Sequence, residues 1–265
     1  MERDMANKLE RFYASDKTRK IGIIGGMSAQ STVHYYEQLV NRTQELLGGG
    51  LHSPEIMIRS VNFGPIEELQ REGEWKMLGE ILADKAVSLE EMGADFILIA
   101  TNTMHKVEPR ISRALCHAKV LHIADATAEA LRQDGIKKVA LLGTSYTMEQ
   151  DFYKGRLEKA GFQVLVPETQ EERDEVNRII FKELCKGKEY VSPKSKPFYD
   201  MVIKRLKARG AEGVILGCTE ICDIVDKGPG VYDTTAIHVE AAAQCAVVPD
   251  NMTLNRMIST RSFSR

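Results

Sequence analysis

The chain has 265 residues, 43% of them hydrophobic and 28% charged, a balance that excludes a collagen-like repeat, a coiled coil and wholesale disorder. Its 36 basic and 38 acidic side chains leave a formal charge of -2, which gives no electrostatic footprint for nucleic acid as a partner. No apolar run approaches the roughly 18 residues of a bilayer span, and the first residues lack the apolar stretch of a signal peptide. The sequence therefore reads as cytoplasmic, with no membrane partner.

Residues 1–20 are charged and poor in aliphatics, and read as an N-terminal extension. A β-branched run follows in KIGIIGG, then the amphipathic stretch STVHYYEQLVNRTQELL, the strand EIMIRSVNF, the long helical stretch PIEELQREGEWKMLGEILADKAVSLEEMG and the strand DFILIATNT. The rhythm restarts at KKVALLGTS and continues through a helix over Met148 to Lys159, the strand FQVLVPE, a helix over Glu172 to Cys185 and the strand AEGVILGCTE. Strands alternating with helices mean βαβ units on parallel sheets. After Ala246 the pattern weakens into a tail over 247–265.

The two runs repeat one another. The interval from Gly25 to Thr101 matches that from Gly143 to Cys218 to within one residue, and GADFILIATNT lines up with GAEGVILGCTE. The sequence therefore predicts an α/β fold of two similar lobes, each a parallel sheet flanked by helices, related by a pseudo-twofold axis. Lobe 1 is expected over 21–120 plus 229–246, and lobe 2 over 121–228. Ligands of open α/β sheets bind beyond the carboxyl ends of the strands, so Thr101 and Cys218 are expected to face each other across the cleft between the lobes.

Those strand ends carry the residue types that chemistry needs. Cys218, in Gly-Cys-Thr-Glu, follows a buried strand where backbone N–H groups lower a thiol pKa, and reads as a thiolate base. The other cysteines, Cys116, Cys185, Cys222 and Cys245, read as reduced structural thiols. No histidine or further cysteine neighbours the Cys218–Cys222 pair in sequence, so no metal is expected. Thr101, Asn102 and Thr103 put hydroxyls, an amide and backbone N–H groups in one turn, a set suited to a small carboxylate, and His105 is positioned to orient that turn. Gly25-Gly26-Met27-Ser28 allows close backbone approach to an anion. Gly143-Thr144-Ser145 is the equivalent turn of the second half. A complete G-x-G-x-x-G and a G-K-[ST] are both missing, which excludes dinucleotides and nucleoside triphosphates.

Taken in order, the segments GIIGGMS, STVHYY, VNFGPIEELQREGEW, TNTMHKV, LHIADAT, ALLGTSYTMEQDFY, GVILGCTEI and YDTTAIH resemble the cofactor-independent aspartate/glutamate racemases. The nearest likeness is to the branch holding L-aspartate/glutamate-specific and broad-specificity amino-acid racemases. The resemblance implies an active site between two α/β lobes, no pyridoxal phosphate or other cofactor, no metal, a small amino-acid substrate, a homodimer, and inversion at Cα by two facing acid/base residues. In most of the family both are cysteines. Here Thr101 stands in the first position and Cys218 in the second, as in the L-aspartate/glutamate-specific branch.

The expected reaction interconverts L- and D-aspartate or glutamate, with Cys218 and Thr101 as catalytic residues and Asn102, Thr103 and Thr219 stabilising the transition state. Met27, Gln70, Thr144 and Glu220 join Asn102, Thr103 and Thr219 as expected substrate contacts. A substrate side-chain carboxylate needs a cationic partner, for which Arg71 and Lys186 are the candidates. The alternatives are a broad-specificity racemase of neutral amino acids, and a protein that binds a dicarboxylate or amino acid without catalysis.

Overall fold

In the computed structural model, Met5, Lys8 and residues 18–247 are described. Most of the expected N-terminal extension, and the tail beyond 247, lie outside the described residues. Two four-stranded parallel sheets form the molecule, in the orders β2-β1-β3-β4 and β6-β5-β7-β8. Strands β1 (Ile21–Gly25), β2 (Ile56–Ser60), β3 (Phe96–Ile99) and β4 (Lys119–Val120) make the first. Strands β5 (Lys138–Gly143), β6 (Gln163–Leu165), β7 (Gly213–Gly217) and β8 (Val231–Asp233) make the second. The central strands β1, β3, β5 and β7 are Ile, Leu, Val and Gly runs buried almost throughout, because helices cover both faces of a parallel sheet.

The helices follow the sequence with local corrections. The first helix, α1 (Ala29–Leu46), starts where the Ser28 hydroxyl accepts from the Ser31 N–H, satisfying an otherwise orphaned donor. The long helical stretch predicted over 65–93 is two helices, α2 (Phe63–Glu72) and α3 (Trp75–Glu91), because Gly73 takes φ 80° and ends α2 in a left-handed cap. Likewise, Met148 to Lys159 divides into α6 (Ser145–Glu149) and α7 (Lys154–Lys159). Between these lie α4 (Glu108–Ala114) and α5 (Ile123–Gln133), and after them α8 (Gln170–Lys182) and α9 (Ser195–Ala208).

The segment from 229, expected wholly with the first lobe, first adds β8 beside β7 in the second sheet. Only then does α10 (Thr234–Val247) cross back, burying Val239, Ala242, Cys245 and Ala246 in the same apolar cluster as Tyr35, Leu39 and Leu98 of the first lobe. Its small side chains let it lie close against α1. The Arg19 N–H donates to the Ala246 carbonyl at 2.8 Å, which fastens this helix to the entry of β1.

The backbone is tightly packed at the turn after β1. Gly26 has φ 88°, and a Cβ there would stand 2.2 Å from the Val61 carbonyl oxygen and 2.6 Å from the Val61 nitrogen. Its N–H donates to Thr32 Oγ1 at 2.7 Å. Gly26→Ala combines a disfavoured φ with a backbone collision, so it should lower stability by at least about 2 kcal/mol. Urea denaturation measures this, and a midpoint equal to that of the parent chain would disprove the steric account.

Candidate active site

Register puts the two candidate acid/base residues at matching positions. In the first sheet Ile24 pairs with Ile99, so Gly25 lies opposite Ala100 and Thr101 comes next; in the second, Gly143 pairs with Gly217 and Cys218 comes next. Gly143 and Gly217 are required by proximity, since a Cβ on Gly217 would lie 2.9 Å from the Leu142 carbonyl oxygen.

Beyond these strand ends the two lobes touch through polar side chains. Thr103 Oγ1 and Thr144 Oγ1 lie 3.0 Å apart, and Thr144 also caps α6 by accepting from the Thr147 N–H. Asn102 donates from Nδ2 to Thr234 Oγ1 at 3.1 Å, and Thr234 donates onward to the Leu216 carbonyl at 2.8 Å. The Asn102 amide oxygen is buried and has no hydrogen-bond partner, an acceptor left open at the seam. Ser28, at the start of α1, donates to Glu220 Oε1 at 2.9 Å. Thr234 is not among the residues that the sequence singles out, and Ser28 enters there only as the last residue of the Gly25–Ser28 turn; both sit in segments that carry the family resemblance, GGMS and YDTT.

Glu220 is the hub on the Cys218 side. Its Oε2 accepts from the Cys218 thiol at 3.0 Å and from the Thr219 hydroxyl at 2.9 Å. Burial, followed by the Glu220 charge, pushes the Cys218 thiol well above its ordinary pKa. The Glu220 backbone N–H acts in the opposite direction, as the sequence led one to expect, but it is outweighed. The expected lowering of this pKa is therefore corrected. Beside this carboxylate, the resting state of Cys218 is the neutral thiol.

The Thr101 side is held differently. Its carbonyl accepts from His105 Nδ1 at 2.8 Å, while His105 Nε2 accepts from the Ile123 N–H at 3.2 Å. This fixes His105 as a neutral ring with its proton on Nδ1, and burial holds its pKa well below the ordinary value. The orienting role expected of His105 thus has a specific bond behind it.

Other expected contacts are arranged less directly. Met27 is buried in the first lobe's apolar core. Gln70 is buried with its side-chain amide nitrogen 2.8 Å from Met104 Sδ, and its backbone carbonyl accepts from the Tyr146 hydroxyl at 3.2 Å. Tyr146 also meets Trp75 edge to face at 5.0 Å, a further bridge between the lobes. Of the two candidate cations, Arg71 is exposed and pairs with Glu68 at 3.8 Å. Lys186 is exposed and stands 6.0 Å over the Tyr190 ring. Neither is among the residues that meet at the seam.

A cavity of about 340 Å³ opens beside Glu220, walled by Ser28, which caps α1, by His34 of α1, by Cys185, by Thr219 and Asp223, and by the Lys227–Asp233 pair, which is 3.0 Å apart. Among the described residues, no group of three or more His, Cys, Asp or Glu side chains is placed to hold a metal ion. No helix among them is long and apolar enough to cross a membrane.

Comparison with known proteins places this arrangement. Residues 24–242, which contain every residue of the candidate site, match the Asp/Glu/hydantoin racemase family. The chain belongs to that family. A candidate Asp/Glu racemase from Yersinia pestis is 47% identical, with a TM-score of 0.80, over 87% of this chain and all of that one. An aspartate racemase homologue from Pyrococcus horikoshii is 38% identical, with a TM-score of 0.72, over 85% of this chain and 98% of that one. The broad-specificity amino-acid racemase RacX of Bacillus subtilis is 30% identical over 147 residues, which span 55% of this chain and 63% of RacX. The racemase-family fold accounts for two parallel sheets whose strand ends point into one cleft.

Proposed function

We propose that the chain is a cofactor-independent amino-acid racemase that inverts Cα by proton transfer between Cys218 and Thr101. The observation that carries this reading is their equivalence: Cys218 directly follows Gly217, which pairs with the Gly143 that ends β5, and Thr101 lies two residues beyond Ile99, which pairs with the Ile24 that precedes the Gly25 ending β1. Two acid/base groups related in this way can address opposite faces of one carbon. Cys218 as thiolate takes the α-proton, and the Thr101 hydroxyl, or a water it holds, delivers a proton to the other face.

The supporting residues divide the substrate between them. The Thr103 and Thr144 hydroxyls and the strand-end N–H groups suit the α-carboxylate, whose charge grows as the carbanion delocalises. The open Asn102 amide oxygen suits the ammonium group, a donor that would satisfy it. Met27 and Gln70 support this set from the core side. A homodimer in the cytoplasm is part of the proposal, and rests on the family resemblance.

The family points to aspartate and glutamate as substrates. A second reading, broad specificity toward neutral amino acids, is favoured by the outward positions of Arg71 and Lys186, and it fits the description of RacX. The test incubates purified protein in D₂O with L-aspartate, L-glutamate and a panel of neutral amino acids, without pyridoxal phosphate, following α-deuteration and chiral purity. Racemisation of the acidic pair alone supports the first reading. Racemisation of neutral amino acids at comparable rates supports the second. Ligand-induced stabilisation with no exchange overturns both, and leaves a binding protein.

A further inference from the structure

We propose that Glu220 is the acceptor of the Cys218 thiol proton and its outlet to solvent, so that the reacting base is a Cys218–Glu220 pair rather than a free thiolate. This rests on the racemase reading above and deepens it.

Three observations converge on Glu220. Its Oε2 is the atom toward which the Cys218 thiol points, at 3.0 Å. Two hydroxyls from different lobes hold the carboxylate in that position, Thr219 on Oε2 and Ser28 on Oε1. The same side chain forms part of the wall of the cavity beside it. A carboxylate that touches a thiol on one side and a cavity with room for several waters on the other can move a proton between them. Among the described residues, the Thr101 hydroxyl has no carboxylate partner, so the two sides of the site differ in this respect.

The step balances without a co-reactant. The S–H bond of Cys218 breaks with its electron pair left on sulfur, and the proton forms an O–H bond at Glu220 Oε2. The thiolate then takes the α-hydrogen as a proton, leaving the C–H electron pair on Cα. The proton on Glu220 passes to water in the cavity, where the facing titratable groups are His34, Cys185, Cys222, Asp223 and the Lys227–Asp233 pair. Net charge is unchanged when the proton moves from sulfur to oxygen, which avoids creating a second anion beside the first.

The test compares the parent chain with Glu220→Gln and Glu220→Asp, using whichever amino acid the parent racemises. At pH 7, Glu220→Gln should lose about 100-fold in kcat, because the proton that leaves Cys218 has no acceptor in the site, and should regain activity as the pH rises and base from solution takes that proton. Glu220→Asp should recover part of the loss and keep the parent's pH profile. Independently of activity, alkylation of Cys218 by iodoacetamide, followed by peptide mass spectrometry, should titrate at lower pH in Glu220→Gln, because the neighbouring charge is gone.

A racemisation rate for Glu220→Gln within threefold of the parent at pH 7 would overturn the proposal. So would a loss that is the same at every pH, which is what a purely structural role predicts. An unchanged alkylation midpoint would remove the thiol–carboxylate contact itself. If the midpoint shifts but the parent exchanges no amino acid, the racemase reading fails, and the relay falls with it.

Discussion

Replacing Cys218 by alanine will lower α-deuterium exchange of the substrate by at least about 10³-fold while leaving the protein folded. No other thiol of the described chain follows a strand end of the cleft, so nothing can substitute as the base. The structural cost is small, because Glu220 keeps the Ser28 and Thr219 hydroxyls when the thiol is removed and is not left as a buried, unpaired charge. A loss of about 1 kcal/mol, or a few degrees in melting temperature for a chain of this size, is expected. Thr101→Ala should behave differently: one enantiomer, the one whose α-hydrogen faces Cys218, should still exchange with D₂O, but without inversion. Chiral chromatography combined with mass spectrometry separates the two outcomes. Exchange by Cys218→Ala at the parent rate, or inversion by Thr101→Ala at the parent rate, would show that these residues are not the two bases.

The second large effect is expected with acid. His105 and His238 are fully buried, and their rings lie 5.9 Å apart. His238 is bonded to the Tyr35 hydroxyl and the Leu121 carbonyl, each at 2.9 Å. Burial lowers its pKa from 6.5 to about 4, and His105 is lowered well below 6.5 by burial and by His238. The unfolded chain binds protons at these rings near pH 6.5 and the folded chain does not, so stability is complete above that pH and declines as the pH falls toward 4. His238 alone removes about 2 kcal/mol between pH 7 and pH 5. Urea denaturation at pH 7, 6 and 5 measures the slope, and His238→Gln, which keeps a donor and an acceptor, should flatten it. A stability that does not change over this range would mean that the rings are not held neutral.

Much of this architecture could be read from the chain because its causes are local. Runs such as VALLG and GVILG are apolar on both faces and can only be buried parallel strands, and the repeat of their spacing foretold the register that sets Thr101 and Cys218 at equivalent ends. Gly73 and the break before Lys154 were harder to see, since amphipathic periodicity runs straight through both. The site was least legible where its geometry joins distant residues. Ser28 and Glu220 are 192 positions apart, and nothing in either segment announces the other. The direction of the Cys218 pKa is not legible for a related reason: the sequence shows a strand end rich in N–H groups, but not that the Glu220 carboxylate folds back onto the sulfur. Arg71 and Lys186 had the right charge, and only the fold reveals that one pairs with Glu68 and the other leans over Tyr190.

The matched strand orders have a thermodynamic corollary. Free L- and D-amino acids are mirror images of equal energy, so the equilibrium constant of any racemisation is one, and kcat/KM must be identical in the two directions. The lobes present two geometrically equivalent positions but fill them with unlike groups, a thiol backed by a carboxylate and a hydroxyl with none. This inequality can therefore appear only in kcat and KM taken separately, rising or falling together. A preference for one hand measured at saturation would report how tightly each enantiomer is held against its own base, and would say nothing about the direction in which the reaction runs in dilute solution.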